Sequence, residues 1–113
     1  MLSNSFHQYI ASVVLNSTHE IILFHINEIP WQREQLLTLI DDLFQLIPAL
    51  NLVETIEGAD RMTVRFCHFD DEFFLNIECY CESIWIEKNG SVSENSMKRL
   101  HQSINNLLFK RST

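Results

Sequence analysis

Apolar residues recur with two different periods along this chain, and the change of period divides it into elements. In WQREQLLTLIDDLFQLI, residues 31–47, Leu36, Leu37, Ile40, Leu43, Phe44 and Ile47 return at helical spacing and make one broad stripe. Pro30 suits a first helical position and Pro48 stops the run, so the spacing predicts a helix over about 30–47. Glu34, Gln35, Asp42 and Gln45 are left to water. A second stripe, Met97, Leu100, Ile104, Leu107 and Leu108, follows Ser91 and Glu94 at capping-box spacing and predicts a helix over about 92–109.

Between these helices the period falls to two. In RMTVRFCH, residues 61–68, Met62, Val64 and Phe66 alternate with Arg61, Thr63 and Arg65; in EFFLNIE, residues 72–78, Phe73, Leu75 and Ile77 alternate with Glu72, Asn76 and Glu78. Each reads as a strand with one buried face. With Asp70-Asp71 as the turn, a symmetric hairpin sets Phe66 opposite Leu75, Val64 opposite Ile77 and Met62 opposite Cys79, with Arg65 meeting Asn76 and Thr63 meeting Glu78 on the other face. A one-residue slip would put apolar positions against polar ones, so the faces are specified.

Residues 50–57 and 83–88 read as flanking strands, the latter ended by Asn89-Gly90, and residues 20–26 as an earlier one. Residues 6–15 carry both patterns: Phe6, Tyr9, Ile10 and Val13 suit a helix, while residues 11–15 suit a strand, the assignment preferred here. The element order is (β)β-α-β-β-β-β-α, which predicts an α+β fold. It is a two-layer sandwich with a mainly antiparallel sheet of four to six strands, a meander over 50–88, and both helices on one face.

Length and composition make this a single domain, 1–113, with one core. Hydrophobic residues at 46% with two glycines and two prolines leave no room for a disordered or low-complexity chain. A net charge of −7 repels phosphate backbones and anionic lipid, which speaks against nucleic-acid and membrane-surface partners. The first residues lack the basic start and apolar run of a signal peptide, no stretch approaches a membrane span, and three cysteines do not make an even disulfide framework. Cytoplasm is the expected compartment.

Chemistry-bearing residues are present but do not assemble by spacing. Cys67, Cys79, Cys81 and His68 are formally enough for zinc, yet the hairpin alternation sends Cys79 to the core face and Cys67 to the other. Cys79-Tyr80-Cys81 lacks the strand-to-helix setting that activates a thiol pair, and Cys79 reads as a small buried hydrophobe. The five histidines, His7, His19, His25, His68 and His101, are scattered and read as surface or rim residues. Asp41-Asp42 falls on a helix and Asp70-Asp71 in a turn, and Gly58 and Gly90 stand apart, so no phosphate-cradling loop exists. Neither a cofactor nor a metal is expected.

The second face of the sheet is the more informative feature. It carries Arg61, Thr63, Arg65, Phe74, Asn76 and Glu78, and Tyr80 and Trp85 are candidates to join them. Aromatic residues beside arginines on a polar face are the composition of a recognition or self-association surface. The alternative is that residues 1–15 cover it, since Phe6, Tyr9 and Ile10 also need burial.

Trp31 at the opening of the first helix, Gly58-Ala59-Asp60-Arg61 leading into a strand, and Glu82-Ser83-Ile84-Trp85-Ile86-Glu87 late in the chain together resemble domain-of-unknown-function family 3630. The likeness spans roughly residues 20–108. It implies a stand-alone bacterial cytoplasmic domain and supplies no activity.

Three functions are therefore weighed. The first is a non-enzymatic protein acting by protein–protein contact or self-association through Arg61, Arg65, Phe74, Asn76, Glu78 and Trp85. The second is an acidic secretion-type chaperone holding an extended partner segment against a sheet. The third is a thiol- or metal-dependent enzyme using Cys67, His68 and Cys81.

Overall fold

The computed structural model describes residues 10–16, 18, 20–26, 33–90 and 93–109. These form strands β1 (Ile10–Asn16) and β2 (Ile21–Ile26), helix α1 (Arg33–Leu46), strands β3 (Leu50–Glu57), β4 (Arg61–His68), β5 (Asp71–Glu78) and β6 (Ser83–Lys88), and helix α2 (Glu94–Phe109). All neighbouring strands are antiparallel, in the order β1-β2-β6-β5-β4-β3. The meander predicted over 50–88 is present, and β2 pairs with β6 at its end. Helix α1 consequently carries the chain from β2 across the sheet to β3 on the far edge. The α+β expectation is met, with six strands and two helices among the described residues. The ambiguous segment is a strand from Ile10 onward; Phe6, His7 and Tyr9 lie outside the described residues.

One face of the sheet makes the core. Met62, Val64 and Phe66 of β4, Phe73, Leu75 and Ile77 of β5, Ile84 and Ile86 of β6, and Ile22 and Phe24 of β2 are buried in a single cluster. Helix α1 adds Leu36, Leu39, Ile40 and Leu43, with Ile47 just beyond its end, and α2 adds Met97, Leu100 and Ile104. Burying each such side chain contributes roughly 1.5–3 kcal/mol against the entropy of ordering the chain. Both helices thus lie on the same side, as alternation in the strands required. Helix α1 is located by Phe44, whose ring stands edge-on to Phe66 at 5.0 Å. Helix α2 is located by His101, which donates Nε2–H to the Val13 carbonyl of β1 at 2.8 Å.

The β4–β5 register departs from the expected one by two residues. Phe66 faces Phe73, Val64 faces Leu75 and Met62 faces Ile77; Thr63 faces Asn76 and Arg65 faces Phe74. Cys79, expected opposite Met62, instead follows the end of β5, where its N–H donates to the Asp60 carbonyl at 2.9 Å. The turn is Phe69-Asp70, not Asp70-Asp71, and Phe69 takes the left-handed backbone that a two-residue hairpin needs, with φ +58°. A two-residue shift keeps the pleat parity, so alternation alone could not distinguish the registers. The one adopted stacks Phe66 on Phe73 with centroids 5.7 Å apart, and it lets Arg99 of α2 lie 4.3 Å over the Phe69 ring.

Helix α2 ends at Phe109 as expected, and α1 ends at Leu46, one residue before the expected end. Helix α2 is capped by Ser93: Ser96 N–H donates to Ser93 Oγ at 3.1 Å, and Met97 N–H to the Ser93 carbonyl at 3.2 Å, while Ser91, the expected cap, lies outside the described residues. The expected starts at Pro30 and Val92 lie outside the described residues. Asp42, assigned to water from sequence, is half-buried, and its Oδ2 is shielded without a hydrogen-bond partner among the described residues.

Candidate binding face

Strand alternation puts Arg61, Thr63 and Arg65 of β4, Glu72, Phe74, Asn76 and Glu78 of β5, and Trp85 and Glu87 of β6 on the face turned away from the helices. Three cross-strand rows result: Arg61–Glu78–Ser83, Thr63–Asn76–Trp85 and Arg65–Phe74–Glu87. All six residues singled out from sequence share this face, although the pairing within it differs from the expected one. Tyr80 does not join them; it stands 87% exposed in the β5–β6 turn.

Asn76 organises the centre. It is only 1% exposed although it lies on the polar side of the sheet. Its Oδ1 accepts from Arg61 Nη2 at 2.9 Å and from Thr63 Oγ1 at 3.0 Å, while its Nδ2 donates to Glu87 Oε1 at 2.7 Å. Leaving such an amide unsatisfied would cost about 1–3 kcal/mol, so the three bonds fix its orientation. The same contact fixes Arg61, whose guanidinium lies 5.2 Å from the centroid of the Trp85 ring. That stacking adds about 0.5–1 kcal/mol at a partly exposed site and holds two large side chains in one arrangement.

A second string of polar contacts crosses the sheet beside this centre. Arg65 donates to Glu54 of β3 through Nε at 2.9 Å, with Nη2 at 2.8 Å, and reaches Glu72 of β5 at 3.5 Å. Asn89 donates to the other oxygen of Glu72 at 2.6 Å. With Arg65 and Glu54 side chains 31% and 48% exposed, these ion pairs contribute about 0–1 kcal/mol each; their effect is to order side chains. Glu87, Glu54 and Asn89 escaped the sequence reading of this face, and Glu72 entered it only as an alternating polar position of its strand. The period-two pattern of β6 contained the signal for Glu87, two positions after Trp85.

Covering of this face by residues 10–15 does not occur, because β1 extends the sheet edgewise beside β2. Residues 1–9 lie outside the described residues.

The thiol and histidine candidates are not brought together. Cys67 and His68 are adjacent in β4 and point to opposite faces, and the turn holding Cys81 joins the end of β5 that pairs with Arg61, at the far end of β4. Burial and then the Asp60 charge push the Cys79 thiol up. A hydrogen bond to Glu78, then its charge, push Cys81 up. Both changes disfavour the thiolate that nucleophilic or ligand chemistry requires. Among the described residues no group of three or more His, Cys, Asp or Glu side chains is placed to hold a metal.

His68, read from sequence as a surface or rim residue, is 1% exposed on the core side of β4. His25 is exposed and His101 half-buried, while His7 and His19 lie outside the described residues.

Residues 10–103 match the model of the family described as protein of unknown function, DUF3630. The chain belongs to the DUF3630 family. The match takes in all six strands, α1 and the first part of α2, so both halves of the outer face lie within it. Neither a curated protein nor a solved structure matches the chain. No described helix of this DUF3630 chain is long and apolar enough to cross a membrane.

Proposed function

We propose that this DUF3630 chain is a non-enzymatic cytoplasmic binding module that docks a protein partner on the outer sheet face through Arg61, Arg65, Phe74, Asn76, Glu78 and Trp85. The observation that carries it is the Arg61–Trp85 stack, tied down by buried Asn76 at the middle of that face. Arg and Trp are the side chains in which binding energy concentrates at protein interfaces. Here both are held in place before a partner arrives, so little conformational entropy remains to be lost on docking. The face carries Arg61 and Arg65 beside Glu72, Glu78 and Glu87, a mixed pattern that selects a complementary protein surface and resists a uniformly anionic one.

The test is quantitative capture from extracts of the native cell, with the wild-type chain compared with Trp85→Ala and Arg61→Ala. Circular dichroism checks that both variants fold, and light scattering checks for self-association. A captured protein whose retention falls at least tenfold in both folded variants supports the proposal. Equal retention by all three chains overturns it, as does dimerisation of the wild-type chain that both substitutions abolish and that accounts for all face-dependent capture.

A further inference from the structure

The outer face is apolar over the half that β1, β2 and β6 provide. Cross-strand pairing runs one row Val14–Leu23–Trp85, and in the row beside it Phe74 of β5 and Ile21 of β2 flank Glu87 of β6. Val14 is 42% exposed, and Ile21, Leu23, Phe74 and Trp85 are half-buried. The alternate residues of β2 and β6, Ile22, Phe24, Ile84 and Ile86, fill the core beneath the helices. Strand alternation therefore leaves the outward five without a second layer among the described residues.

Glu87 stands within this apolar half. Its Oε1 accepts from buried Asn76 at 2.7 Å, and among the described residues no cation pairs with it. Both arginines of the face are engaged elsewhere, Arg61 with Asn76 and the Trp85 ring, Arg65 with Glu54 and Glu72. Outward positions of the strands hold these two arginines against four glutamates, Glu54, Glu72, Glu78 and Glu87, a difference that His25 at the margin would not make up. With Arg61 counted, the face is still short of positive charge. Its shape is equally selective. Strands β2, β6, β5 and β4 have neighbours on both sides, so the face offers no free backbone groups to a partner. An extended segment laid across it would bury unpaired backbone of its own, whereas a helix satisfies its backbone internally and presents a stripe of side chains.

We infer that the partner presents an amphipathic α-helix to this half of the face, its apolar stripe over Val14, Ile21, Leu23 and Trp85, and a lysine or arginine beside the stripe paired with Glu87. The inference rests on the outer face being the docking surface and names what docks there. Asn76 makes the pairing specific, because it holds the Glu87 carboxylate in place among apolar neighbours, where a helix bringing no cation would cover an unpaired charge. A second copy of this chain fits poorly. Its helices have their apolar stripes buried in its own core, and face-to-face docking would oppose the glutamates of two molecules, each with net charge −7.

The test presents the full chain to two displayed libraries of equal length. One holds amphipathic helices randomised beside the apolar stripe; the other carries central prolines that permit only extended segments. Expected is enrichment from the helix library alone, with lysine or arginine flanking the stripe. A synthetic peptide of the leading clone should bind Glu87→Lys at least tenfold more weakly, and exchanging its basic residue for glutamate should recover binding to that variant. Leu23→Asp should also weaken it at least tenfold, with circular dichroism checking that both variants fold, and Leu52→Lys on the β3 edge should leave it unchanged. Extended or acidic clones that still need Trp85 would overturn the inference and leave the docking surface standing. Clones insensitive to both Glu87→Lys and Trp85→Ala would overturn the two together, and no enrichment from either library would overturn the inference. So would nuclear Overhauser contacts between residues 1–9 and Leu23 or Trp85 in the free protein, by assigning the patch to the chain itself.

Discussion

His68 occupies the core side of β4 with its Nε2 lacking a hydrogen-bond partner among the described residues, and with the Phe69 ring edge-on at 4.7 Å. Burial lowers its pKa first, the nearby Arg99 lowers it further, and Asp71 opposes both. Arg99 reaches Asp71 at 3.9 Å, so the two charged groups facing the imidazole are themselves paired. Because the folded-state pKa lies below the ordinary value near ~6.5, the unfolded chain binds the proton first as pH falls. His68 therefore contributes stability above that pH and loses it on acidification. His68→Leu is expected to flatten the fall in urea midpoint between pH 7 and pH 5 relative to wild type. An equally steep fall in the variant would show that other groups carry the acid sensitivity. The sequence could not reveal this placement: position 68 keeps the parity of Met62, Val64 and Phe66, but a polar residue at the end of an alternating run reads more naturally as its boundary.

At the scale of elements, capping and turn chemistry decide what periodicity leaves open. Ser93→Ala removes the acceptor for Ser96 N–H at the start of α2, and a loss of about 1 kcal/mol in chemical denaturation is expected. Ser91→Ala should change stability by less than about 0.5 kcal/mol. The reverse order would restore the capping box read from Ser91 and Glu94. Helix and strand positions were legible because their apolar residues repeat over several turns or pleats. β3, β4 and β6 coincide with their expected spans for that reason. The hairpin register was not, since shifts of two residues conserve the faces and only the conformation of Phe69 and the Phe66–Phe73 contact select among them. The same parity argument explains the outer face of the sheet. It puts Arg61, Arg65, Phe74, Asn76, Glu78 and Trp85 on one side of the sheet, as the strand pairing does, but it could not foresee that Asn76 would be buried between Thr63 and Trp85.

Across the whole molecule, the six-stranded sheet separates two environments. Its helix side holds the single core, and its other side holds a polar network with arginine and tryptophan at the centre. The β3 edge belongs to neither and carries exposed apolar residues beside an open groove under α1. The buried layer carries most of the apolar burial, and the outer face is the surface proposed for a partner. The most direct measurement of that division is site-specific photo-cross-linking in the native cell, with p-benzoylphenylalanine replacing half-buried Phe74 on the outer face or exposed Gln102 on α2. Discrete cross-linked protein adducts at position 74, lost when Arg61→Ala is added, and none at position 102, are predicted. Adducts of equal yield at both positions, or none at position 74, would contradict the outer face as the docking surface.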